Sequence, residues 1–180
     1  MRKNFHTERG FTLIELMASL ALFAVVVTVS LGSILGIFSA NRKSRALKAV
    51  MTNLNLAVET MSREMRYGSR YHCGASGTLT TPQNCQAGDS LVSFLSSDNV
   101  QITYRLNGTT FEKQEGSAGW IPVTSPEVVI DQLSFYTLGA ATGDGHQPKT
   151  LVSFRGHAGT GAGRSDFTLE TLVSQRTLDN

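Results

Sequence analysis

Residues 16–38 read LMASLALFAVVVTVSLGSILGIF and contain no charged side chain. These 23 residues make about 34 Å of helix, enough to cross a hydrocarbon core of about 30 Å. The stretch before them, MRKNFHTERG, is short and basic, with Arg2, Lys3 and Arg9 against Glu8. Positive charge on that flank predicts a cytoplasmic N-terminus, with everything after about Asn41 on the far side of the membrane. An ordinary secretory signal peptide fits poorly. Its apolar core is shorter, and Phe38-Ser39-Ala40 puts a bulky Phe where a small residue is wanted. Hydropathy alone leaves a plain signal anchor as an alternative.

Polar residues begin at Asn41-Arg42-Lys43-Ser44-Arg45, yet helical periodicity continues. Leu47, Met51, Leu54, Val58, Met61 and Met65 form a seven-residue apolar repeat, with Lys48, Asn55, Glu59 and Arg66 on the opposite face. No proline interrupts residues 11–71. Gly32 and Gly36 soften the apolar half and are small enough for close helix contact. Tyr67-Gly68-Ser69 supplies a stop, since glycine suits a helix C-cap. A single helix of about 55 residues is expected, far beyond the usual globular length. Its stripe is expected to pack on the chain's own β domain; a separate coiled-coil partner is the alternative.

Residues 74–90 are rich in Gly, Ser, Thr and Pro and read as a loop. Strands follow at short spacing. Leu91–Leu95 is an apolar run, and Val100, Ile102, Tyr104 and Leu106 alternate with Gln101, Thr103 and Arg105. Asn107-Gly108 is a type I′ hairpin signal, with 109–113 returning antiparallel. Residues 120–123 and 128–136 come next, the latter with a phase shift between Ile130 and Leu133 that predicts a bulge or break. Residues 150–155 and 167–174 close the pattern around a Gly-rich loop at 156–163. The fold class is therefore α+β: a long N-terminal helix packed on a C-terminal antiparallel sheet.

The residues that define function are Gly10-Phe11-Thr12-Leu13-Ile14-Glu15-Leu16. This stretch resembles the cleavage and methylation signature of type IV prepilins and type II secretion pseudopilins. The resemblance implies removal of the leader after Gly10, N-methylation of Phe11, and an assembly role for Glu15, the fifth residue of the mature chain. It also implies a prepilin peptidase with N-methylating activity, an inner-membrane assembly platform and other pilin or pseudopilin subunits as partners. A carboxylate in hydrocarbon costs about 3 kcal/mol near the bilayer centre. Glu15 thus has either a task or a place near enough to the interface to stay hydrated. The organisation implied is a leader at 1–10, a membrane and assembly helix at 11–40, its amphipathic second half at 41–71, and an extracytoplasmic β head at 72–180. More diffusely, Tyr104-Arg105-Leu106-Asn107-Gly108, Trp120 and 128–135 are similar to minor pseudopilins of the J type and to PilW-like minor pilins.

Cys73 and Cys85 flank the loop at 74–84. In an exported domain such a pair reads as a disulfide, closing a loop for roughly 3 kcal/mol on the chain-entropy account; two free thiols are the alternative. Net charge is +2, and removing the leader leaves equal numbers of each sign. That neutral body offers no electrostatic footprint for nucleic acid. No cofactor, catalytic set or metal site is expected. His72, His146 and His157 are scattered and read as surface residues. Asp144-Gly145 brings one carboxylate toward calcium, far short of the usual oxygen count. The glycines at 156–163 precede no helix, so they do not read as a phosphate cradle. Trp120 and the phenylalanines read as core. The sequence thus points to a structural filament subunit and not an enzyme. A ligand-binding adhesion or DNA-uptake pilin and an anchored envelope enzyme are the rival classes.

Overall fold

The computed structural model describes residues 10–176, so the leader charges Arg2, Lys3, Glu8 and Arg9 lie outside the described residues. One helix, α1 (Leu13–Tyr67), runs for 55 residues. The chain divides into two compact units, one ending at Asn41 and one beginning at Arg42.

In the first unit the apolar side chains of α1 are exposed around its circumference, among them Phe23, Val26, Leu31 and Phe38. Among the described residues none covers them. The helix is long and apolar enough there to cross a membrane. Three of its hydroxyls bond back to the helix itself: Thr28 donates to the Ala24 carbonyl at 2.8 Å, Ser33 to Val29 at 3.1 Å and Ser39 to Gly36 at 2.8 Å. Back-bonding of this kind satisfies those three hydroxyls without water, as a lipid environment requires.

In the second unit α1 becomes one-sided. Val50, Leu54, Ala57, Val58, Met61 and Met65 are buried in the core, while Lys48, Asn55, Glu59 and Arg66 are exposed. Leu47 and Met51, expected in the stripe, instead face outward at 37% and 56% exposure. There the 159–163 loop meets the helix at Arg42 and Ala46, so the upstream buried positions are Val50 and the partly buried Ala46. The helix ends where expected, with the Gly68 N–H bonded to the Met65 carbonyl at 3.0 Å. Gly68 acts by closeness, since a Cβ there would lie 2.5 Å from Phe94 Cδ2. The left-handed residue of the exit is Arg70, at φ 55°.

The expected single sheet is two antiparallel sheets. The first joins β1 (Ser69–Cys73), β3 (Leu91–Leu95), β4 (Gln101–Asn107), β5 (Thr110–Glu115) and β6 (Ile121–Pro122), in the order β1-β3-β4-β5-β6. The second has the order β2-β7-β8-β9, from Cys85–Asp89, Val128–Leu138, Lys149–Ala158 and Ser165–Ser174. Strand β2 lies inside the stretch read as loop, where Gly88 at φ 83° and the polar sequence CQAGD hide it from pattern reading. Strand β8 likewise runs on through Gly156. That glycine is required because a Cβ would meet the Val129 carbonyl oxygen at 2.2 Å. The bulge in β7 falls between Ile130 and Gln132, as the phase shift predicts. The β4–β5 hairpin forms with Asn107 paired to Thr110. Its turn residues are therefore Gly108 and Thr109, and only Gly108 has positive φ (61°), the pattern of a type II′ turn rather than I′.

Cys73 and Cys85 form a disulfide. It links β1 to β2, each the outer strand of its own sheet, across a Cα–Cα distance of 5.5 Å. The sulfurs lie 3.4 and 3.2 Å from the Phe135 carbonyl oxygen of β7. A row of rings crosses the first sheet in strand order: Tyr71, Phe94, Tyr104 and Phe111 at centroid spacings of 5.8, 6.3 and 5.3 Å. It ends edge-on against Phe154 of β8, which ties the second sheet to the first.

A polar clamp joins this sheet to α1. Glu64 accepts from the Tyr104 hydroxyl at 2.7 Å and from Lys113 Nζ at 2.6 Å, and Lys113 also reaches Glu115 at 2.5 Å. Burial, then the hydrogen bond and charge of Glu64, push the Tyr104 pKa far above its ordinary value. Burial pulls Lys113 down, but its bonds to Glu115 and Glu64 outweigh it and hold the ammonium above its usual value. Both groups thus hold their protons more tightly in the folded chain. Their contribution is complete below the unfolded values, near pH 10, and is lost as pH rises through the folded ones. The thermal midpoint of the full chain in detergent should therefore fall beyond about pH 10. Tyr104→Phe should make that fall shallower, and equal slopes for the two chains would refute the clamp's part in it.

Candidate functional site

Gly10 and Phe11 lie just before the first turn of α1, outside regular structure and exposed, Phe11 at 83%. Helix formation begins at Leu13 because Thr12 caps it. The Thr12 hydroxyl accepts from the Glu15 N–H at 3.4 Å, and the Glu15 carboxylate accepts from the Thr12 N–H at 3.1 Å and from the Thr12 hydroxyl at 3.0 Å. The Leu16 N–H closes the first helical bond onto the Thr12 carbonyl at 3.2 Å. This is a capping box: two otherwise unpaired donors at a helix start are satisfied reciprocally. The negative charge also sits at the positive end of the helix dipole. Sequence reasoning did not identify this role, although Thr-x-x-Glu directly before an apolar run is its signature.

Glu15 therefore has local partners within its own chain. Two of its neighbours in the first turn, Leu13 and Ile14, are exposed and apolar. Removing the carboxylate would leave the Thr12 N–H unsatisfied, whatever else Glu15 does.

The head holds the remaining candidates apart. His72 is buried in β1, contrary to the surface reading. Its Nδ1 lies 2.7 Å from the Thr81 carbonyl oxygen and its Nε2 3.0 Å from that of Ser76. The ring braces the 74–84 loop against β1, along with Gln83, whose side chain donates to the Cys73 carbonyl at 2.9 Å. His146 is exposed, and its N–H donates to Asp144 at 2.7 Å, which commits that carboxylate to the turn. His157 lies in β8, 2.8 Å from Asp131. Among the described residues, no three of His, Cys, Asp or Glu are grouped to hold a metal ion. Trp120 is only half-buried, and its face carries the Arg105 guanidinium at 3.6 Å. It sits just before the two-residue edge strand β6, where no layer exists to bury it. Phe94, Phe111, Phe135 and Phe154 are core, as read.

The family described as Prokaryotic N-terminal methylation motif matches residues 6–31. No curated protein and no solved structure gives a significant match. The capping geometry yields a specific expectation. Glu15→Gln keeps an acceptor for the Thr12 N–H, whereas Glu15→Ala and Thr12→Val each break the box, at about 1 kcal/mol per lost cap. Amide exchange over residues 12–16 in detergent should quicken in the second pair and stay near wild type in the first. Uniform protection in all three would show that the box does not form. The match falls on the segment that carries the capped helix start and most of the apolar half of α1.

Proposed function

We propose that the chain is a structural subunit, and a minor one, of a type IV pilus or type II secretion pseudopilus. A prepilin peptidase cuts between Gly10 and Phe11 and methylates the new amine. The observation that carries this reading is the motif itself, whose Gly10–Phe11 bond lies in an exposed, non-helical segment before the first turn of a 55-residue helix. Segments of that kind are what proteases reach. Before assembly the apolar half of α1 anchors the chain in the membrane, with its N-terminus cytoplasmic and its β head on the far side. The disulfide fits that placement, since such bonds persist in oxidising compartments. The inner-membrane assembly platform and other pilin-like subunits are the remaining partners. The run of strands after the helix favours a pseudopilin of the J type or a PilW-like pilin.

Hydrolysis of the Gly10–Phe11 bond frees an amine that is largely protonated near neutral pH, because α-amino groups titrate at about 8. Glu15 lies four residues on. In the unassembled chain its charge is already held by Thr12. In a filament it exchanges part of that set for the amine of a neighbouring subunit, and the pairing of two costly charges fixes axial register. Glu15→Gln keeps the cap and removes the charge, so it isolates the electrostatic step.

Chain recovered from membranes of peptidase-positive cells should begin at Phe11 and carry one methyl group by intact mass. A Met1 start in those cells, or a start near Ala40, would defeat the reading. At matched levels of processed chain, Glu15→Gln should enter sheared filaments poorly. Normal entry would remove Glu15 from assembly while leaving processing intact.

A further inference from the structure

Four cations follow the apolar half of α1: Arg42, Lys43, Arg45 and Lys48. No carboxylate lies between Glu15 and Glu59 to balance them. None of the four enters an ion pair within the described residues. Two of them, Arg42 and Arg45, line a groove of about 430 Å³ in the second unit. Its other walls are Ala46 on the helix, Pro126, Glu127 and Val129 before and within β7, and residues 157–160 at the end of β8.

The groove is built by close approach of backbone to helix. A Cβ on Gly159 would lie 3.1 Å from Ala46 Cβ, and one on Gly163 would lie 3.2 Å from Arg42 Cβ. Larger residues would push the 159–163 loop off α1 and open the groove. The glycines unabsorbed by any phosphate-cradle reading thus have a task here, as spacers beside two guanidinium groups.

We propose that this groove binds the phosphodiester headgroup of an anionic phospholipid. The proposal rests on the reading that residues 16–38 cross a membrane. Arg42 follows Phe38 by four residues of continuous helix, about 6 Å of rise, and Arg45 by about 10 Å. The headgroup layer extends about 5–8 Å beyond the hydrocarbon, so Arg42 starts within it and the long Arg45 side chain reaches back to it. Arginine suits the ligand because its planar fork binds phosphate oxygens in pairs. The apolar walls Ala46, Val129 and Ala158 suit the glycerol end of a lipid. Of the other charged groups, Glu127 opposes the two arginines, and Asp131 is occupied by His157 at 2.8 Å. The site therefore keeps a positive excess.

The test uses the full chain in detergent, titrated with phosphatidylglycerol or phosphatidylcholine, with retained lipid counted by native mass spectrometry. Wild type should prefer phosphatidylglycerol by about tenfold, in line with a basic pair at an anionic surface, and lose that preference in high salt. Arg42→Gln with Arg45→Gln should abolish it. Lys43→Gln with Lys48→Gln removes equal charge outside the groove and should largely preserve it. Equal loss in the two double variants would overturn the site in favour of diffuse attraction. Displacement of lipid by inorganic phosphate alone would overturn the lipid as ligand. Flotation with vesicles separates the premises: a chain that does not float loses the membrane reading, and one that floats without lipid preference loses only this site.

Discussion

Everything in this chain depends on one helix that must satisfy two environments. Backbone hydrogen bonding is met inside the helix along its whole length, so its requirements differ only in side chains. Over its first half apolar side chains lie on every face, and the hydroxyls of Thr28, Ser33 and Ser39 bond back to their own turn. Over its second half only one face is apolar, and that face is consumed by the core at Leu54, Met61 and Met65. Full burial of each such side chain contributes about 1.5–3 kcal/mol. The head therefore stabilises its own half of the helix, whereas the apolar half needs lipid or other helices to cover it. A subunit that moves between a membrane and a filament has that requirement.

The head answers a second constraint, that two small sheets meet with few residues to spare. Two devices hold them, and a third fastens the helix to the first sheet. The disulfide joins their outer strands and constrains the unfolded chain by roughly 3 kcal/mol. The ring row from Tyr71 to Phe154 runs through one sheet into the other. The Glu64 clamp fastens the helix to β4 and β5. The clamp is a partly buried ion pair, so its worth lies in geometry as much as energy; breaking one member would strand the other's charge.

The sequence was legible where a local period or a local motif carries the information. The helix length, its end at Tyr67, the strand at Leu91–Leu95, the β7 bulge and the position of the hairpin all follow from spacing within a few residues. The prepilin motif is local as well. What stayed hidden is non-local or atypical. Strand β2 has almost no apolar pattern and exists because the disulfide and β7 hold it. The Glu64 clamp joins residues 40 and 49 positions apart. His72 is buried because the loop folds back over it, through carbonyl groups that carry no sequence signal. The heptad reading misplaced Leu47 and Met51 because the distant 159–163 loop, not the periodicity, sets which face is covered at that end. The Thr12–Glu15 box was the one local signal passed over, masked by the stronger motif that contains it.

The account stands on the change of environment along α1, and spin-label scanning reads that change directly. Single nitroxides placed along residues 16–65 of the full chain in lipid nanodiscs would be probed for oxygen and nickel accessibility. The account predicts high oxygen and low nickel access at every position from 16 to 38, without helical periodicity. It predicts a 3.6-residue oscillation from 50 to 65, with minima at Leu54, Val58, Met61 and Met65. An oscillation within 16–38, with one face open to nickel, would contradict it, because that segment would then be an ordinary amphipathic helix and not a membrane and filament element.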